Sequence, residues 1–117
     1  MRSLMVEITG PSLEEAERIG RALVEERLVA CANILPAVRS IYRWKGRVEE
    51  ASETMLLVKT TEAALPELIQ RVRALHSYAC PCVAAFKVVG GNPDYLAWIE
   101  TESHPHGTHA EPSGPAD

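Results

Sequence analysis

Between Asn33 and Thr60 polar and apolar side chains alternate along two long stretches separated by Lys45–Gly46. Val38, Ser40, Tyr42 and Trp44 fall on one side of the first stretch. Arg39, Ile41, Arg43 and Lys45 fall on the other, which is the period-two pattern of a strand. Two long strands around a tight turn are predicted, with a two-residue and a three-residue turn giving different registers. Basic Arg39, Arg43 and Arg47 are followed by acidic Glu49, Glu50 and Glu53, and opposite charges across a hairpin stabilise it modestly. A strand of about 14 residues spans roughly 46 Å. A helix of about 15 residues covers only about 22 Å. The hairpin should therefore overhang any helices packed on it.

The remaining elements follow from the same reasoning. Leu4 to Thr9 reads as a short strand stopped by Gly10–Pro11. Ser12 is placed to cap a helix, with Glu15 completing a capping box. Leu13, Ala16, Ile19, Leu23 and Val24 recur at helical spacing to about Arg27 and give one buried stripe. Pro36 interrupts the first hairpin strand and predicts an edge position or a bulge. Met55 to Val58 is continuously apolar and predicts a central strand covered on both faces. Leu65, Leu68, Ile69, Val72 and Leu75 mark a second helix, with Pro66 in its first turn. A loop or strand entry over His76–Cys82 leads to a strand over Val83–Val89. Asn92 and Pro93 then cap and start a short helix reaching about Thr101. The order β-α-β-β-α-β plus a short helix defines an α+β, ferredoxin-like arrangement, two helices on one face of an antiparallel sheet. One domain is expected over residues 1–101, with a His-, Pro- and Gly-rich disordered tail over 102–117.

Composition narrows the function. The chain has 117 residues, 46% of them hydrophobic and 24% charged, as in ordinary globular domains. The net charge of −4 argues against a nucleic-acid surface. No apolar run approaches a membrane span. A start without a signal-peptide pattern points to the cytoplasm, where the three cysteines would stay reduced. Neither a Gly-rich phosphate loop nor a nucleophile with a His and acid arrangement is evident, so no catalytic residue is assigned.

Four segments match one family in order and spacing: Asn33–Ile34–Leu35–Pro36, Ser40–Ile41–Tyr42–Arg43–Trp44, Leu57–Val58–Lys59–Thr60 and Asn92–Pro93–Asp94–Tyr95–Leu96. The chain resembles the CutA family of divalent-cation tolerance proteins over about Leu4–Thr101. The resemblance implies a ferredoxin-like protomer assembled as a tight homotrimer and a link to copper and other divalent metals, with no established catalytic activity. It also implies likeness to the trimeric PII-type signalling proteins, which bind nucleotides between subunits. Family members often read His-Pro-Tyr-Glu-x-Pro-Glu after the second helix. Here the segment is His76–Ser77–Tyr78–Ala79–Cys80–Pro81–Cys82, with two carboxylates missing and two thiols gained. Thiols favour softer ions, Cu(I) or Zn(II).

The candidate metal ligands are Cys31, His76, Cys80 and Cys82. Cys31 matches the family's cysteine, although free cysteine is also a common small core residue. Cys80 and Cys82 could supply a two-coordinate Cu(I) site, add to His76, or pack near a strand start. Tyr78, Trp44, Lys59 and Lys87 are candidates for a ligand cleft between subunits. Ile41, Tyr42, Arg43 and Trp44, near the hairpin tip, are candidates for the trimer interface, where aromatics are enriched. His104, His106 and His109 form a weak HxHxxH metal candidate in the tail. The favoured function is a trimeric, non-enzymatic protein of copper or divalent-metal tolerance. The alternatives are a PII-like small-molecule sensor and a stable scaffold for a partner protein.

Overall fold

The computed structural model describes residues 2–104. The elements run β1 (Ser3–Gly10), α1 (Leu13–Glu25), β2 (Cys31–Trp44), β3 (Arg47–Thr61), α2 (Leu65–Leu75), β4 (Cys82–Lys87) and α3 (Pro93–Glu102). The sheet order is β2-β3-β1-β4, with every neighbouring pair antiparallel. This is the ferredoxin-like α+β fold that the pattern predicts. No helix among the described residues is long and apolar enough to cross a membrane. Residues 105–117, including His106 and His109, lie outside the described residues.

One face of the sheet builds the core. Val6 and Ile8 of β1 meet Leu56 and Val58 of β3, and Ile19 and Leu23 of α1 and Leu68 and Val72 of α2 close over them. Each such side chain contributes about 1.5–3 kcal/mol when fully buried. The opposite face carries Met5, Glu7, Leu57 and Lys59, all partly exposed. The expectation that Met55–Val58 is covered on both faces is therefore corrected. β3 is central in the sheet order, but within one chain only one of its faces is covered.

Helix ends follow local chemistry. Ser12 Oγ accepts the Glu15 N–H at 3.2 Å, as a cap should. The reciprocal half of the expected capping box is missing, because the Glu15 carboxylate turns instead to Ser77. Helix α1 stops at Glu25, two residues short of the expected Arg27. Arg27 adopts φ 62°, and the N–H groups of Leu28 and Val29 both return to the Leu23 carbonyl. The Asn92 side chain caps α3 through the Asp94 N–H at 3.1 Å. α3 runs one residue past the expected Thr101, and Ser103 behind it is buried. The domain therefore extends past residue 101. β4 is shorter than expected at its far end, stopping at Lys87 although the Val88 N–H still reaches the Ser3 carbonyl at 3.1 Å.

The hairpin overhangs the body, as its length requires. β1 pairs with β3 only as far as Gly10, opposite Thr54. Arg47–Glu53 and their β2 partners Val38–Trp44 pair with each other alone. That free ribbon extends about 24 Å at about 3.4 Å per residue, within a protomer of 50 × 27 × 23 Å. Trp44 faces Arg47, so the turn has two residues, and Lys45 and Gly46 both take positive φ. This is the twist-matched turn of a tight hairpin. The register shifts between Leu35 and Val38, with Ala37 at φ 63°, which places the expected bulge beside Pro36. The expected charge ladder is sparser than predicted. Arg39 pairs with Glu50 at 2.8 Å, but Arg43 stands opposite Val48 and Glu53 opposite Val38.

The core predicts its own sensitivity. Leu68→Ala, at a position with 0% exposure, should cost about 2–5 kcal/mol in denaturant unfolding. Leu13→Ala, at 45% exposure, should cost less than about 1 kcal/mol.

Candidate functional site

The corner where β1 ends and the hairpin leaves the body gathers the polar side chains. The Tyr78 backbone N–H donates to His76 Nδ1 at 3.0 Å. That nitrogen is therefore the acceptor, so Nε2 carries the proton and donates to the Thr9 carbonyl at 2.7 Å. The His76 ring is fully buried, with Glu15 Oε2 at 3.4 Å from Nδ1. The same carboxylate oxygen accepts the Ser77 N–H and hydroxyl, each at 3.0 Å. Burial opposes the Glu15 charge. The two Ser77 bonds, the neighbouring His76 and Arg18 outweigh it and hold the carboxyl below its usual range. Tyr78 stacks on His76 with ring centroids 4.8 Å apart and donates its hydroxyl to Glu53 at 2.7 Å. Burial first, then the bond to the Glu53 carboxylate, push the Tyr78 phenol up to about 12.

A second cluster lies on the open face of the sheet. The Cys31 thiol meets the Tyr95 hydroxyl at 3.6 Å, linking β2 to α3. Tyr95 stacks on Trp98 at 5.6 Å. Burial, and then the Cys31 thiol, push Tyr95 up to about 12. Lys59, paired with Cys31 in the ladder, donates its Nζ to Asn33 Oδ1. Arg27 reaches Glu102 at 3.2 Å and ties the end of α1 to the end of α3.

The predicted ligands do not converge within one protomer. Cys31 lies beside Lys59 on β2, Lys59 opposite Met5, and Cys82 opposite Thr9 on β4. Three strand spacings and four residues separate the two cysteines, roughly 20 Å. His76 has both ring nitrogens engaged, which fits a structural tie between α2 and β1 and leaves it no lone pair for a metal in this geometry. Cys80 and Cys82 are exposed and in no disulfide. Among the described residues, no three His, Cys, Asp or Glu side chains are grouped to hold a metal ion. Among the described residues, then, one chain gathers no hard-cation cage. By donor chemistry, the two exposed thiols fit a soft ion. His104 follows the buried Ser103 and is itself exposed.

The cleft candidates are also spread out. Trp44 stands at the hairpin tip opposite Arg47, about 40 Å along β3 from Lys59. Lys59 pairs with Met5 and Lys87 with Leu4, so strand alternation sends the two lysines to opposite faces. Tyr78 belongs to the corner cluster. Ile41, Tyr42 and Trp44 are exposed on the free ribbon at 66%, 43% and 54%, and Arg43 is exposed beside them. Three participants escaped the sequence reading. Glu15 looked like half of a capping box, Glu53 like a hairpin charge, and Tyr95 like part of a helix motif. Only the fold brings them to His76, Tyr78 and Cys31.

A sheet of this order with an overhanging β2–β3 hairpin and a third helix defines a small α+β protein of the ferredoxin-like class. The CutA1 divalent ion tolerance protein model matches residues 4–102, and the chain belongs to that family. The divalent-cation tolerance protein CutA of Thermus thermophilus is 54% identical over 95 residues, covering 81% of this chain and 92% of the relative. Its solved structure superposes with a TM-score of 0.86 at 50% identity, covering 87% of this chain and 99% of that one. The Archaeoglobus fulgidus CutA structure, described as a periplasmic divalent cation tolerance protein, gives 0.83 at 40% identity, covering 87% and 99%. The mouse relative, protein CutA, is 45% identical over 98 residues, and the 82% of this chain that matches spans only 55% of it.

The two clusters together make a pH prediction. Tyr78 and Tyr95 both titrate higher folded than unfolded, so the folded state favours the neutral phenols. Their contribution is fully present below about pH 10 and is lost as pH rises through about 12. Thermal midpoints should therefore fall across that window, and Tyr78→Phe should flatten the fall. At neutral pH the same variant should cost about 1–2 kcal/mol for the lost bond to a carboxylate.

Proposed function

We propose that this chain works as a homotrimer in divalent-cation tolerance, without catalysis, and that its overhanging hairpin is the assembly device. One observation carries the proposal. The ribbon beyond Thr54 exposes Ile41, Tyr42, Trp44 and Val48 while belonging to no core of its own. Two paired strands alone are marginal in water, so such a ribbon gains stability by packing against another surface. An exposed apolar edge is also an aggregation liability, which burial between copies removes. Family membership supports the ion-tolerance part. The donors support copper or zinc as the ion over harder cations, because Cys80 and Cys82 are exposed thiols while the nearby Glu15 and Glu53 carboxylates are engaged by Ser77 and Tyr78. The reading places the protein in the cytoplasm, where those thiols stay reduced.

Deleting residues 41–50 tests the assembly. Full-length protein should run as three chains in size-exclusion chromatography with light scattering, and the truncated chain as monomer or aggregate. A well-behaved trimer after truncation would sink the proposed role of the hairpin. Calorimetric titration with Cu(II) and Zn(II), on wild type beside Cys31→Ser, tests the ion. Heat unchanged by the substitution would remove Cys31 from binding.

A further inference from the structure

We infer that Cys80 and Cys82 form a two-thiolate site for a thiophilic monovalent cation of the Cu(I) class, complete within a single chain. This deepens the cation-tolerance reading and rests on it for the supply of copper. It does not depend on the trimer.

The segment is built for two sulfurs. Pro81 sits between the cysteines, fixes its own φ and biases Cys80 to extended backbone. Cys82 then enters β4 opposite Thr9. Two extended residues separate the Cα atoms by about 6.6 Å, at the far end of what a disulfide spans, about 4.4–6.8 Å. Two sulfurs joined through an ion, each by a bond of about 2.3 Å, sit farther apart than two sulfurs bonded at about 2.0 Å. The spacing therefore suits an ion better than an S–S bond. Both thiols are exposed, so an ion reaches them without opening the fold.

The ends of the segment are tied down. Upstream, Tyr78 is held by its N–H on His76 and its hydroxyl on Glu53. Downstream, Cys82 is held in the ladder beside β1. Only residues 79–81 lie between these anchors, so binding has little chain left to order. The donor set then selects the ion. Zinc takes four ligands and hard cations take oxygens, and no third His, Cys, Asp or Glu joins the pair among the described residues. His76, four residues upstream, already uses both ring nitrogens. Two sulfurs alone match the soft, low-coordinate preference of Cu(I). Binding forms two copper–sulfur bonds and breaks two S–H bonds. Both protons leave to solvent, no electron moves, and the bis-thiolate centre carries one negative charge.

Competition between the full chain and a chromogenic Cu(I) chelator, under anaerobic reducing conditions, tests the site. One Cu(I) per chain is expected, with unchanged affinity in Cys31→Ser. Cys80→Ser and Cys82→Ser should each weaken binding on the order of 100-fold, because the second thiolate acts at high effective concentration. X-ray absorption should show two sulfur neighbours. Circular dichroism should show both variants folded, since both positions are exposed. Wild-type affinity in either serine variant, or one Cu(I) per three chains, would overturn the proposal. Loss of binding in Cys31→Ser would overturn it equally. Light scattering on the same samples reports assembly separately, so a failed trimer and a failed copper site give different results.

Discussion

β1 stops at Gly10, opposite Thr54, while β3 continues outward for seven more residues to Arg47. That mismatch between neighbouring strands governs the rest of the protomer. Inboard of Thr54, Met55–Lys59 pair on both sides, and helices cover one face. Outboard of it, β3 has only β2. The hydrophobic side chains follow the boundary: Leu56 and Val58 are sealed in the core, while Ile41, Trp44 and Val48 lie in the open. The same sequence habit, alternation along a strand, gives a core on one side of Thr54 and an unpartnered surface on the other.

A boundary of this kind leaves a corner where the backbone of a central sheet becomes exposed. His76, Glu15, Ser77 and Tyr78 fill it. The imidazole donates to the Thr9 carbonyl and accepts the Tyr78 N–H, and Glu15 takes the Ser77 N–H. The tyrosine reaches across to Glu53, the first β3 residue of the free ribbon. Buried polar groups are tolerable when each has a partner, and here they have. The loop is thus fixed by the corner, and the two thiols that follow inherit a defined position. Fold, corner and thiol pair form one chain of cause, in which the strand mismatch comes first.

Much of this was legible in the residues. Period-two and helical patterns located every element, and Pro36 and Asn92 marked the bulge and the cap. The errors share a physical origin. Glu15 satisfies the capping-box pattern, yet a tertiary partner, Ser77, competes for its carboxylate and wins. Glu53 reads as part of a local charge ladder, yet it serves Tyr78, 25 residues away. Met55–Val58 reads as buried on both faces because apolar runs do not reveal whether the second layer comes from the same chain. His76 reads as either a structural residue at the end of α2 or a candidate ligand, and only the fold shows what its two nitrogens hold. Local pattern carries the elements, and the choice among long-range partners carries the site.

The bulge at Pro36–Ala37 has a consequence for how this chain can vary. Before it, the odd-numbered Cys31, Asn33 and Leu35 share the open face of the sheet. After it, the even-numbered Val38, Ser40, Tyr42 and Trp44 continue that face, because two β2 residues there oppose Thr54 alone. The bulge is a phase shift in the reading of the strand. Loss of a single residue at this point would remove that shift: one residue would oppose Thr54, Tyr42 and Trp44 would keep their partners and their face, and the ribbon would lose the bend and added twist that a bulge gives it. Length changes at the hairpin tip are benign by comparison, since nothing beyond the turn depends on their parity. A deletion at Pro36–Ala37 would thus re-aim the ribbon while keeping its two faces, whereas one inside Val38–Trp44 would exchange them.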